Sequence, residues 1–215
     1  MLKVYRIVQL LFEPRLLRSL VRLRYSGYLK EQGWFESIKS SIAVDEKNQP
    51  LPWVTYSFID FIKPRLNQEL RVFEYGSGNS TLFYAKYVKN VVAVEHDKKW
   101  YENLVDRLPT NAKVLYKKLE QGGEYCKASE QTRSEYDIIV VDGRDRVNCL
   151  LFATNAVTLN GVIVLDDSER EDYSEGVQYM KKAGFRQLDF WGIAPGLTYK
   201  KCTSVFYKDN NCLDI

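Results

Sequence analysis

Val72-Phe73-Glu74-Tyr75-Gly76-Ser77-Gly78-Asn79-Ser80-Thr81 decides how this 215-residue chain folds. The apolar run from Leu70 to Tyr75 reads as a buried strand that breaks at two glycines spaced by one residue. A helix opens at once, with Asn79 or Ser80 placed to cap it. Glycine at such a junction lets the backbone turn sharply and approach a ligand with no Cβ in the way. In open α/β sheets that crevice, beyond the carboxyl ends of the strands, is where nucleotides bind. A second signal supports the first. Glu95 lies nineteen residues after Gly76 at the end of the next apolar run, where an acid can accept hydrogen bonds from both hydroxyls of a ribose.

On either side of this motif the pattern alternates. Thr81–Val88 predicts a helix, Val91–Glu95 a strand, Trp100–Leu108 a helix stopped by Pro109, and Lys113–Tyr116 a short strand. Ile138–Val141 and Val162–Leu165 are continuous apolar runs, as expected of strands buried on both faces. Asn148–Thr158 and Tyr173–Ala183 predict helices, and Arg186–Phe190 and Thr203–Tyr207 the closing strands. Lys117–Glu135 is the one long polar stretch, with room for a short helix. Upstream, Trp53–Ile62 reads as an apolar helix ended by Pro64. The alternation implies a doubly wound, mostly parallel α/β sheet with helices on both faces. It occupies residues 67–215, behind a helical extension over residues 1–66.

The residues around the glycines indicate which nucleoside would bind. A dinucleotide turn needs a third glycine where Thr81 stands, so that a helix can pack close beneath a pyrophosphate. Glu74 precedes the first glycine by two, and a carboxylate there suits a cationic amino acid better than a diphosphate. This combination resembles motif I of the class I S-adenosylmethionine-dependent methyltransferases, over roughly Leu70 to Tyr207. Ser80 replaces the motif's final glycine, a change also found in branches similar to O-methyltransferases. The resemblance implies a seven-stranded Rossmann-like fold and S-adenosyl-L-methionine as cofactor. It also implies that Glu74, Gly76 and Gly78 surround the amino-acid part of that cofactor, that Glu95 holds the ribose, and that His96 stands on the adenosine side. Ser77, Ser80 and Asp142 complete the implied cofactor set.

A second constellation follows the next two central strands. Asp142 ends one, in Asp142-Gly143-Arg144-Asp145-Arg146, and Asp166-Asp167 end the other. Carboxylates at neighbouring strand ends repel one another unless a cation, a proton or Arg144 and Arg146 compensate. In catechol-type and sugar O-methyltransferases, acids at these strand ends hold a magnesium ion that binds acceptor hydroxyls. The resemblance therefore implies Asp142, Asp166 and Asp167 as ligands of Mg2+, a hard cation suited to oxygen donors. Two departures stand out: Asp145 replaces the catechol-type lysine, and Arg144 the second acid of sugar-type enzymes. Without a metal, Asp142 or Asp145 is the candidate general base, and both acids can instead pair with Arg144, Arg146 or Arg170.

Composition limits the remaining choices. A formal net charge of +3 is concentrated at the start, because residues 1–30 carry seven basic side chains against Glu13 alone. The rest is net −3, which excludes an extended nucleic-acid surface there. Pro14–Tyr25 predicts an amphipathic helix with Arg15, Arg18 and Arg22 on one face and leucines largely opposite. Its apolar side is expected to pack on the domain or a second subunit, and the competing partner is an anionic membrane surface. Cys126, Cys149, Cys202 and Cys212 form no CxxC pair and read as reduced thiols of a cytoplasmic protein. The expected activity is methyl transfer to a hydroxyl of a small molecule or sugar. The alternatives are an aminopropyltransferase-like enzyme, with Asp142 and Asp166 toward a polyamine, and an inactive binding subunit. A nicotinamide-dependent oxidoreductase is disfavoured by the missing third glycine.

Overall fold

The structure, a computed structural model, describes residues 12–215. Lys3 and Arg6 of the basic segment lie outside them. Helix α1 (Pro14–Tyr25) forms as its pattern predicts, with Pro14 in the first turn and Arg22 and Arg24 in the last. It buries none of its residues, so among the described residues the domain does not cover its apolar side. Two short helices follow, α2 (Tyr28–Glu31) and α3 (Trp34–Ser40), and Arg24 stacks on Phe35, 5.0 Å from the ring centre.

Helix α4 (Tyr56–Ile62) begins three residues later than its hydrophobicity suggests. The reason lies in Trp53–Thr55, whose polar groups turn to the far end of the chain. Thr55 N–H donates to Thr203 Oγ1 at 3.1 Å, and the Trp53 indole donates to the Pro195 carbonyl at 2.8 Å. Beyond Ile62 a 3-10 turn (Lys63–Arg65) accommodates Pro64.

The sheet then builds in regular order: β1 (Arg71–Tyr75), α5 (Asn79–Ala85), β2 (Asn90–Glu95), α6 (Lys98–Val105) and β3 (Ala112–Tyr116). The polar stretch contains the short helix α7 (Ala128–Gln131). After it come β4 (Tyr136–Val141), α8 (Arg146–Ala156), β5 (Val157–Asp166), α9 (Ser174–Lys182), β6 (Arg186–Gly192) and β7 (Lys201–Tyr207). The seven strands lie in the order β3-β2-β1-β4-β5-β7-β6. The five from β3 to β5 are parallel, while β7 runs antiparallel to both β5 and β6. The fold is therefore the doubly wound, mostly parallel sheet expected. Strand β5 starts five residues before its apolar run, directly from the end of α8.

Helices cover both faces. On one, Val72, Val140, Val164 and Val205 pack with α4, α5 and the preceding Ala43, Leu51 and Val54, so residues 43–62 share a core with the sheet. On the other, Phe73, Tyr75, Ile139 and Ile163 pack with α8, Met180 of α9, and Tyr125, Cys126 and Ala128 from the polar stretch. No described helix is long and apolar enough to cross a membrane.

Tyr75 pins the polar stretch to the sheet. Its hydroxyl lies 2.7 Å from both the Cys126 carbonyl and Ser129 Oγ, and all three residues are buried. Tyr75→Phe leaves that carbonyl without a partner, and a loss of about 1–3 kcal/mol is expected in urea denaturation. An unchanged midpoint would mean that the stretch is not held there.

Candidate functional site

β1 and β4 are neighbours in the sheet, yet their connections leave in opposite directions, which opens a crevice beyond their carboxyl ends. Glycines let the two chains part there. Gly76 has φ +98°, and a Cβ on it would lie 3.2 Å from Gly143 Cα. A Cβ on Gly143 would overlap the Tyr125 hydroxyl and come within 2.9 Å of Gly76 N. The resulting cavity is about 460 Å³ and is lined by the whole Glu74–Ser80 turn, Glu95, His96, Trp100, Asp142 and Asp167. Each implied cofactor residue therefore borders one space.

Glu74 lies at its floor. Burial pushes its carboxyl up to about 7, although the Ser80 and Thr81 hydroxyls beside it pull the other way. Its Oε2 is buried without a hydrogen-bond partner among the described residues. An acid left in this state favours a cationic ligand that supplies the missing partner. An α-ammonium fits this description and a diphosphate does not.

Glu95 at the end of β2 is already organised. Its Oε1 accepts the backbone N–H of His96 and of Asp97, each at 2.8 Å, and its Oε2 accepts Ser77 Oγ at 2.9 Å. His96 Nδ1 stands 3.0 Å from the same carboxylate, with the ring edge-on to Tyr125. Trp100 closes this end: its indole donates to Ser77 O at 2.9 Å, and its ring is in van der Waals reach of a Cβ on Gly78.

The three acids named as metal ligands do converge, but the chain supplies its own cations. Lys201 Nζ of β7 lies 2.5 Å from Asp166 Oδ2 and 2.7 Å from Asp167 Oδ1. Arg146 holds Asp142 Oδ1 at 3.0 Å and approaches Asp167 Oδ2 at 3.5 Å, and Arg170 binds that oxygen at 2.6 Å. Asp166 also accepts from the Thr203 hydroxyl at 2.8 Å and does not line the cavity. The expectation of a magnesium site at Asp142, Asp166 and Asp167 is corrected accordingly. A lysine ammonium between two of the acids takes the place of a divalent ion, so this donor set does not fit Mg2+, and no group suited to a metal occurs among the described residues.

Asp142 remains open to the cavity, and burial pushes its carboxyl above the ordinary range despite Arg146 and Lys201. Asp145 does not border the cavity. In a left-handed conformation (φ +50°), it accepts Gly122 N–H at 2.8 Å and the Asn148 amide at 2.7 Å. Of the aromatics upstream, Trp53 lines the cavity and Tyr56 belongs to the core. Sequence reasoning missed Lys201, whose partners lie some 35 residues earlier. It also missed Trp100 as a cavity wall.

No protein-family model matches the sequence, and comparison with curated proteins gives no match. Solved structures do resemble it. A precorrin-6y C5,15-methyltransferase from Geobacter metallireducens superposes with a TM-score of 0.55 at 13% identity, covering 80% of this chain and 96% of its own. A methyltransferase from Pyrococcus furiosus gives 0.51 at 15%, covering 86% and 100%. A Streptococcus mutans protein described as a methyltransferase, in complex with SAH, gives 0.51 at 10%, covering 69% and 94%.

Two outcomes follow from the site. Glu74 takes up a proton on folding, so its contribution to stability is complete below about pH 4.5 and is lost as pH rises through about 7. A cationic ligand restores the ionised form. S-adenosylhomocysteine binding should then release a proton and tighten between about pH 6 and 8, as calorimetry in buffers of different ionisation heat would show. Glu74→Gln should abolish both effects, and a wild type without proton release would count against a cation at Glu74. Separately, Lys201→Met leaves two buried acids without their shared cation and is expected to cost about 3–5 kcal/mol in urea denaturation.

Proposed function

We propose that this chain, whose fold is that of the class I S-adenosylmethionine-dependent methyltransferases, transfers a methyl group from S-adenosylmethionine to a hydroxyl of a small molecule or sugar. One observation carries the reading: the unpartnered, buried Glu74 oxygen at the floor of a cavity that Glu95 borders at the end of the adjacent strand. An amino acid with a positive charge, joined to a ribose, matches that pair of acids. Bound there, S-adenosylmethionine supplies a methyl group on a cationic sulfur, open to in-line attack by an oxygen as the carbon–sulfur bond breaks toward sulfur.

The roles follow from position. Glu74 accepts from the α-ammonium, and Gly76 and Gly78 keep the turn free of side chains. Ser77 and Ser80 line the turn. Glu95 accepts from the ribose hydroxyls, with His96 and Trp100 flanking the adenosine side. Asp142 takes the acceptor's proton. A carboxylate whose pKa is raised by burial is better matched to that task than a solvated one, and Arg146 fixes its Oδ1. Charge compensation by Lys201, Arg146 and Arg170 makes the reaction independent of a metal. The same compensation argues against aminopropyl transfer, since Asp166 is already paired and turned away from the cavity. Four free cysteines suit a cytoplasmic setting.

Calorimetry with S-adenosylmethionine, S-adenosylhomocysteine and NAD tests the core of this reading. Micromolar binding of the first two and none of NAD is expected, and Gly76→Arg should bind neither. In an S-adenosylhomocysteine release assay over hydroxylated acceptors, a chelator should have no effect. Asp142→Asn should keep its affinity for S-adenosylhomocysteine within about threefold and lose roughly 10²–10⁴ in turnover. Binding of NAD in place of the sulfonium cofactor would overturn the assignment, and binding without turnover on any acceptor would favour the inactive subunit.

A further inference from the structure

Large apolar side chains exposed to solvent are not spread evenly over this protein. Of the eighteen that the described residues leave exposed, ten fall between Phe12 and Ile42, a small fraction of the chain. Helix α1 supplies five of them: Leu16, Leu17, Leu20, Val21 and Leu23, each 36–50% exposed. At 100° per residue these five share one side of the helix, while Arg15, Arg18 and Arg22 cluster within about 60° on the other. Residues 14–30 hold five basic side chains and no acid. A twelve-residue helix that buries nothing has little stability of its own in water, so its form implies a surface that covers it.

We infer that α1 is an interfacial anchor that lies in the plane of an anionic membrane, with its leucine face in the acyl boundary and Arg15, Arg18 and Arg22 among acidic headgroups. Charge distinguishes this partner from a second copy of the chain. A two-fold pairing of α1 would bring two acid-free segments of five positive charges together, whereas an anionic leaflet neutralises each of them. On a bilayer, burial of the stripe and headgroup attraction add directly. The helix also leads toward the cavity. The chain from α1 passes through α2 and α3 to Ser41, Ile42 and Ala43, which form part of the cavity wall, and Ala43 O accepts the Asn79 amide at 2.7 Å. An anchored α1 would therefore hold this rim of the cavity close to the membrane surface.

The test is co-sedimentation of the full chain with vesicles of phosphatidylcholine alone and of phosphatidylcholine mixed with phosphatidylglycerol. Two variants accompany it, Leu16→Ser with Leu20→Ser, and Arg15→Glu with Arg18→Glu and Arg22→Glu. Because neither variant touches Arg24, the α1 residue that stacks on Phe35, both should keep the wild-type melting temperature, and S-adenosylhomocysteine binding reports the domain separately. The expected result is partition onto the anionic vesicles only, weakened by salt and lowered on the order of tenfold or more by either variant. Equal partition onto both vesicle types, or none, would overturn the inference. So would a dimer in sedimentation velocity that the leucine variant dissolves, since a second copy would then cover the face.

Discussion

The site depends on a contact between two glycines. Where β1 and β4 end side by side, Gly76 and Gly143 approach so closely that neither tolerates a Cβ without displacing the other's backbone or the Tyr125 hydroxyl. That closeness lets the chains diverge into α5 and α8 and leave a cavity rather than a packed junction. Everything that borders the cavity is set by this separation. Glu74 lies two residues before Gly76 on one strand, and Asp142 directly before Gly143 at the end of its neighbour. The two glycines are thus a single steric condition divided between positions 67 residues apart.

Two ways of handling buried charge meet in this crevice. Glu95 is satisfied in advance by two backbone amides and a serine, so its geometry is fixed before any ligand arrives. Glu74 is left with an oxygen that no described residue satisfies. The first arrangement sets orientation and the second selects for positive charge. Beside them, Asp142, Asp166 and Asp167 are balanced by Arg146, Arg170 and Lys201, which keeps three carboxylates at neighbouring strand ends without an exogenous ion. Pairing inside the protein tolerates such a cluster, because each acid has a donor at hydrogen-bond distance.

The parallel strands and the glycine turn were legible in the sequence because their determinants are local. Apolar runs between helical segments predict strands buried on both faces, and a strand ending in Gly-x-Gly predicts a ligand turn. Glu95 was legible by its distance from that turn. Lys201 was not, since nothing near it in sequence distinguishes a buried cation from an ordinary strand-end lysine. Only the antiparallel return of β7 beside β5 brings it to Asp166. The metal expectation failed for that reason: the acids are visible as a cluster, and their counter-ions come from elsewhere in the chain. Asp145 likewise reads as a site acid by proximity, yet a left-handed backbone turns it toward the Gly122 loop. The polar stretch 117–135 conceals Tyr125 and Cys126, which are buried in the core without any periodicity of their own.

Strand order also has a consequence in time. β5 lies inside the finished sheet, yet its neighbour on one side, β7, is the last of the seven strands to be made. When Asp166 and Asp167 emerge from a ribosome, Arg146 is already outside, but Lys201 and Thr203, more than thirty residues further along, are still within it. The nascent sheet therefore carries Asp166 without its lysine and threonine partners, and water must solvate that carboxyl until β7 arrives. Domains tend to fold as their N-terminal parts appear. Here the electrostatics of two aspartates tie completion of the sheet to completion of the β7 hairpin.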